Sequence, residues 1–114
     1  MPANTHLNPA AKEALRDLQM PGEPDLYAEL VVLFISTSDQ FQKDLQARSS
    51  DFPHLRELAH AWKNNALAIG AQKLGEMCTE LEAAAQILHA GKCQTIIEKM
   101  SEEYQAVKLE LKAS

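Results

Sequence analysis

Apolar residues recur along this chain at spacings of three and four and nowhere alternate with period two, so the pattern predicts helices and no strands. Residues 9–20 read as a short first helix with Leu15 and Leu18 as its apolar contacts, broken by the Pro21-Gly22-Glu23-Pro24 stretch. A second helix over 25–48 places Leu26, Leu30, Leu33, Phe34, Phe41 and Leu45 on one stripe. Its middle, Ser36-Thr37-Ser38, is made of poor helix formers and is expected to be less regular. Ser49-Ser50-Asp51 supplies capping side chains and Pro53 suits a first turn, so a third helix starts there and stops at Gly70.

A fourth helix over 71–90 repeats Leu74, Met77, Cys78, Leu81, Ala84, Ala85 and Leu88, with Gly91 as its C-terminal cap. The fifth, over 92–111, carries Ile96, Ile97, Met100, Tyr104, Val107 and Leu111. Five amphipathic helices with short connections predict an all-α fold, an antiparallel four-helix bundle with an additional short N-terminal helix packed beside or over one end. The expected organisation is one domain over residues 1–114, in which 1–23 form the N-terminal helix and linker and 24–112 the bundle.

Composition narrows the class. A chain of 114 residues, 46% of them hydrophobic, holds one core and is too short for two. No window approaches the roughly 18 continuous apolar residues of a membrane span, and the N-terminus lacks the pattern of a secretory signal, so a soluble cytoplasmic protein is expected. Cys78 and Cys93 show neither C-x-x-C spacing nor paired histidines, which signals no disulfide framework and no metal site. The net charge of −5 argues against nucleic acid as a partner. The charge is uneven, however: residues 54–73 hold only Glu57 against Arg56, Lys63 and Lys73, while the segments on either side are acidic.

That cationic segment is the third helix. With Trp62 at zero on a helical wheel, Leu55, Leu58, Ala59, Ala66 and Ile69 fall within roughly 60° of it and must face the core. His60 lies at about 160°, on the exposed side, flanked by Arg56, Lys63, Asn64 and Leu67. Two readings of His60 stand on the residues alone. It is an ordinary solvated side chain, or it is a nucleophile, since an imidazole with a pKa of about 6.5 keeps an unprotonated ring nitrogen near neutral pH and can attack phosphorus. In the second case Lys63 and Arg56 steady the phosphoryl oxygens.

Residues 60–71, HAWKNNALAIGA, resemble the signature of histidine-containing phosphotransfer (HPt) domains, roughly H-x-L-K-G-S-A-x-x-L-G-A. His60, Lys63, Ala66, Gly70 and Ala71 match it, and Ile69 is a near match. The resemblance runs over about residues 24–90, through Leu33-Phe34, Leu74, Met77-Cys78 and the Leu81-Glu82 dipeptide. Asn64 and Asn65 depart from it, standing where the family usually has glycine and a small residue, and Trp62 replaces a smaller apolar residue. Asn64 adds bulk on the face that a partner approaches, and could also donate a hydrogen bond to phosphoryl oxygens.

The resemblance implies a phosphorelay carrier. His60 would take a phosphoryl group from the aspartate of one receiver domain and pass it to another response regulator, with Lys63 assisting. Arg56, Asn64, Leu67 and Lys73 would form the partner-binding surface. The partners implied are response-regulator receiver domains, including those of hybrid sensor histidine kinases. Mg²⁺ is expected on the receiver, and this chain would need no cofactor or metal of its own. With no phosphate loop or kinase signature in the sequence, it would have no autonomous kinase activity. A complete bundle needs no second chain, so a monomer is expected.

The alternative, suggested by Asn64 and Asn65, is an HPt-like helical interaction module that binds a signalling partner without phosphotransfer. Leu67 is either a stray surface residue or a docking anchor. His6 and His89 read as surface residues, His54 is not spaced to pair with His60 around a metal, and the acidic runs at Glu80-Leu81-Glu82 and Glu102-Glu103 read as solvated helix faces.

Overall fold

Each helix of the computed structural model, which describes residues 6–113, begins or ends where a specific group satisfies its free backbone atoms. The limits 1 and 114 of the expected domain lie outside the described residues. Helix α1 spans Pro9–Asp17, α2 Leu26–Ala47, α3 Phe52–Ile69, α4 Gln72–Gln86 and α5 Ala90–Ala113, with no strand among the described residues. The side chains of Asn8, Asp25 and Asp51 accept hydrogen bonds from the backbone N–H groups of Ala10, Ala28 and His54 and so cap α1, α2 and α3.

Helix α1 is shorter than the pattern predicts. Gln19 is drawn into the linker, where its Nε2 donates to the carbonyls of Glu23 and Pro24 and its Oε1 accepts from Leu26 N–H, and Leu18 is left exposed. Helix α2 runs unbroken through Ser36-Thr37-Ser38, contrary to expectation, because Ser38 faces the core and has a partner there. Helix α4 also stops early. Leu88 takes the left-handed conformation (φ 58°) that Gly91 was expected to supply, and the ring Nδ1 of His89 accepts from Lys92 N–H. His89 thus caps α5, which places Gly91 inside that helix and leaves Leu88 exposed.

Connections of two to four residues join α2 to α5 in series, so neighbours run antiparallel. Helix α3 packs against α2 and α4, and α5 closes the bundle against α4 and α2. Helix α1 lies across the end where α3 turns into α4, touching α2 and α3. There Gly70 is indispensable: its φ is +88°, its carbonyl accepts from Asn8 N–H at 2.7 Å, and a Cβ on it would stand 2.6 Å from the Asn8 carbonyl oxygen.

The core is centred on Trp62 and Tyr104, both fully buried, with ring centroids 5.6 Å apart and edge to face. Phe34 and Phe41 extend the aromatic cluster from α2. The indole Nε1–H donates to Ser38 Oγ at 2.9 Å, and the Tyr104 hydroxyl donates to Asp39 Oδ1 at 2.6 Å, so neither buried polar atom is left without a partner. Lys108 also reaches Asp39, at 3.1 Å. The hydrogen bond from Tyr104 is the main cause that holds the Asp39 carboxyl below its ordinary value, with Lys108 adding to it and burial working against it. The Tyr104 hydroxyl is correspondingly pushed up, by burial first and then by Asp39.

Three expectations about the surface differ from the structure. Leu33 is exposed and Leu26 partly so, because α2 turns Phe34, Ser38 and Leu45 inward and leaves those two leucines beside the buried stripe. Glu103 is buried rather than solvated: His6 lies over it at 2.8 Å and Lys73 approaches at 3.9 Å. His6, read as a surface residue, is accordingly half-buried. No helix among the described residues is long and apolar enough to cross a membrane.

Candidate functional site

Helix α3 buries Leu55, Leu58, Ala59, Trp62, Ala66 and Ile69, the stripe expected from the wheel, and so must turn its opposite face outward. His60 stands on that face with 61% of its side chain exposed, on a helix pinned from below by the Trp62–Ser38 hydrogen bond. Its Nδ1 faces α4, 3.6 Å from Glu82 Oε2, a contact longer than a hydrogen bond. The other ring nitrogen, Nε2, is thereby left on the side away from Glu82. The second oxygen of the same carboxylate, Oε1, lies 3.3 Å from Lys63 Nζ. Glu82 therefore touches both the histidine and the lysine that follows it by three residues.

Arg56, one turn before His60, lines with Pro53, Glu57, His60, Ala61 and Glu82 an open depression of about 570 Å³. A nucleophile at the rim of an open hollow lined by one cation, Arg56, and two carboxylates, Glu57 and Glu82, can meet a reacting group carried on another macromolecule. Asn64 is exposed on the next turn. Leu67 follows, 49% exposed, and rests on Gly75 of α4 so closely that a Cβ there would lie 2.9 Å from its Cδ2. Asn65 points to the other flank of α3, into a small cleft shared with Leu30, Leu33, Phe34, Thr37 and Ala68.

His60, Lys63, Arg56, Asn64 and Leu67 thus share one face of α3. Lys73 stands apart. It is nine residues from Glu82 on α4, roughly 13 Å along the axis at the helical rise, and its near partner is Glu103 on α5. Beneath the site, Cys78 is fully buried; burial first, and then the charge of Glu82, push its thiol up to about 12, so it is no nucleophile at neutral pH. No group of three or more potential metal-binding side chains occurs among the described residues.

The residue that sequence reasoning missed is Glu82, which it read as part of a solvated acidic run. Its role depends on the pairing of two helices, and the signal lay in the turn between them. Leu67 and Gly75, which touch, are each four residues from Ala71, and His60 and Glu82 are each eleven residues from it. A tight antiparallel hairpin centred on Ala71 brings both pairs level.

Comparison with known proteins agrees with this geometry. The family model described as "Hpt domain" matches residues 29–111, most of the chain. The chain is similar to Histidine-containing phosphotransfer protein 1 of Arabidopsis thaliana, at 26% identity over 98 residues that cover 82% of this chain and 64% of that protein. Histidine-containing phosphotransfer protein 5 of the same plant is 24% identical over 102 residues, covering 85% of this chain and 65% of its own length. The chain therefore spans a little under two thirds of the length of these curated relatives.

Among solved structures, histidine-containing phosphotransfer protein B from Pseudomonas aeruginosa PAO1 superposes with a TM-score of 0.86 at 26% identity, covering 97% of this chain and 95% of that one. The maize protein ZmHP2 superposes with a TM-score of 0.83 at 23% identity, over 96% of this chain and 87% of its own, a likeness of fold. With the family model matched over the bundle and its signature histidine on the exposed face of α3, the chain belongs to the Hpt domain family.

Proposed function

We propose that this protein is a phosphorelay carrier, in which His60 accepts a phosphoryl group from the aspartyl phosphate of one receiver domain and passes it to another. The observation that carries this reading is the placement of His60: exposed on a rigid helix, its Nδ1 turned to Glu82, with Lys63 and Arg56 a turn to either side. In the accepting step the Nε2 lone pair forms the N–P bond as the P–O bond of the acyl phosphate breaks, and the electron pair leaves on the receiver's carboxylate. Lys63 and Arg56 offset the charge on the phosphoryl oxygens as it shifts between the two ends. The reverse of the same step hands the group on.

The Mg²⁺ that such a transfer uses belongs in the acidic pocket of the partner. Arg56 complements that pocket, and Leu67 together with Asn64 gives the partner an apolar and a polar contact beside the reacting nitrogen. Lys73, turned toward Glu103, would contribute only to a partner that reaches past the level of Leu67. The bundle closes its own core, and the working form is a monomer. The test is transfer from a receiver domain carrying labelled aspartyl phosphate. Label should move onto this chain and then onto a second receiver, and His60→Gln should abolish both steps. Binding of receiver domains that persists in His60→Gln, with no transfer in the unaltered chain, would instead support the interaction module.

A further inference from the structure

Among the described residues Glu82 contacts both His60 and Lys63, and the carrier reading uses it only as the group that Nδ1 faces. We propose that Glu82 sets how firmly the phosphoryl group is held, by competing with it for Lys63 and repelling it, so that the group is poised to leave. The inference rests on His60 accepting a phosphoryl group.

Before phosphorylation the three side chains form a balanced set. Lys63 and Glu82 are only 26% and 28% exposed and lie 3.3 Å apart, so the ammonium is held at the carboxylate rather than free in solvent. A phosphoryl group on Nε2 adds roughly −1.5 to −2 charge on the far side of the ring. Lys63, three residues along the helix, shares Glu82 with His60, and Arg56, four residues before His60, lines the same hollow. The phosphoryl oxygens therefore draw Lys63 from Glu82, or share it, while the carboxylate remains close to a second and larger anion.

Glu82 also faces the ring itself, and a positively charged phosphoimidazole would be stabilised by it. That opposing effect needs the proton on Nδ1. A neutral phosphoimidazole has no such charge to be stabilised, and for it competition for Lys63 together with repulsion remains. Glu82 then acts as a positioning residue, through Lys63, and lowers the affinity of the site for the group it carries.

The experiment uses the full chain, phosphoramidate as donor at alkaline pH, and the variants Glu82→Gln and Glu82→Asp. Nε2 attacks phosphorus as the P–N bond of the donor breaks and ammonia leaves. After removal of the donor, intact mass follows the loss of the phosphoryl group. Glu82→Gln keeps the shape and removes the charge, and its phosphorylated form should last about two- to fivefold longer, the range expected of a partly exposed ion pair. Glu82→Asp should stay close to the unaltered chain.

The Lys63 side-chain nitrogen and ε-carbon signals, read by carbon-detected NMR, supply a measure that packing alone would not move. They should shift on phosphorylation of the unaltered chain and start from a different position in Glu82→Gln. An unaltered chain that loads while Glu82→Gln loses its phosphate equally fast or faster would overturn this inference and leave the carrier reading standing. Failure of the unaltered chain to load would overturn the carrier reading, and this inference with it.

Discussion

Glu82 lies as far beyond Ala71 as His60 lies before it, and the two side chains meet at 3.6 Å across the α3–α4 hairpin. The site is therefore a property of the hairpin's register, which is set at its turn. Gly70 ends α3 in the left-handed conformation, Ala71 N–H returns to the Ala66 carbonyl at 2.8 Å, and α4 starts at once. Whatever disturbs this turn also disturbs the level at which the acid meets the histidine.

Gly70→Ala is accordingly expected to destabilise the protein by about 1–3 kcal/mol, the cost of forcing a side chain into a disfavoured backbone region. The added Cβ would also push the Asn8 carbonyl away and loosen the seat of α1. Urea denaturation checks the first effect, and amide exchange at residues 8–17 the second. An unchanged midpoint would mean that the turn relaxes freely.

Ser38→Ala removes the acceptor of the buried Trp62 indole and leaves its N–H unpaired, for an expected loss of about 1–3 kcal/mol. Denaturation of Ser38→Ala, Trp62→Phe and the double variant should give non-additive losses, because the hydrogen bond the two residues share can be lost only once. Additive losses would show that the contact contributes no coupling.

Asp39 links stability to pH. Its folded-state pKa lies below the ordinary value of 3.8, so the unfolded chain takes up its proton first as acid is added. The stabilisation it provides is complete above about pH 5, shrinks as pH falls through 3.8, and is lost below the lowered folded-state value. The difference in denaturation midpoint between the unaltered chain and Asp39→Asn should therefore be present at pH 7 and shrink in acid. A difference that stayed constant down to pH 2 would place the effect elsewhere.

The third helix was legible from the sequence in detail. Its period admits one inward stripe, Trp62 fixes which stripe that is, and His60 with its flanking cations follows on the other side. The bundle was legible for the same reason. Less accessible were features decided by contacts between elements. Glu82 and Glu103 both sit in acidic runs that look solvated, yet one is held between His60 and Lys63 and the other lies under His6. Local sequence does not show which helix face a neighbour will cover. The α4–α5 junction was misplaced because glycine is the usual left-handed residue, whereas here Leu88 takes that conformation and a histidine caps the next helix.

That His60 is a reactive phosphoacceptor can be read from intact-mass analysis after exposure to phosphoramidate, with His60→Gln treated in parallel. The expected result is a single acid-labile phosphate on the unaltered chain and none on the variant. No added mass, under conditions that label an established phosphotransfer domain, would contradict the account, as would equal labelling of His60→Gln.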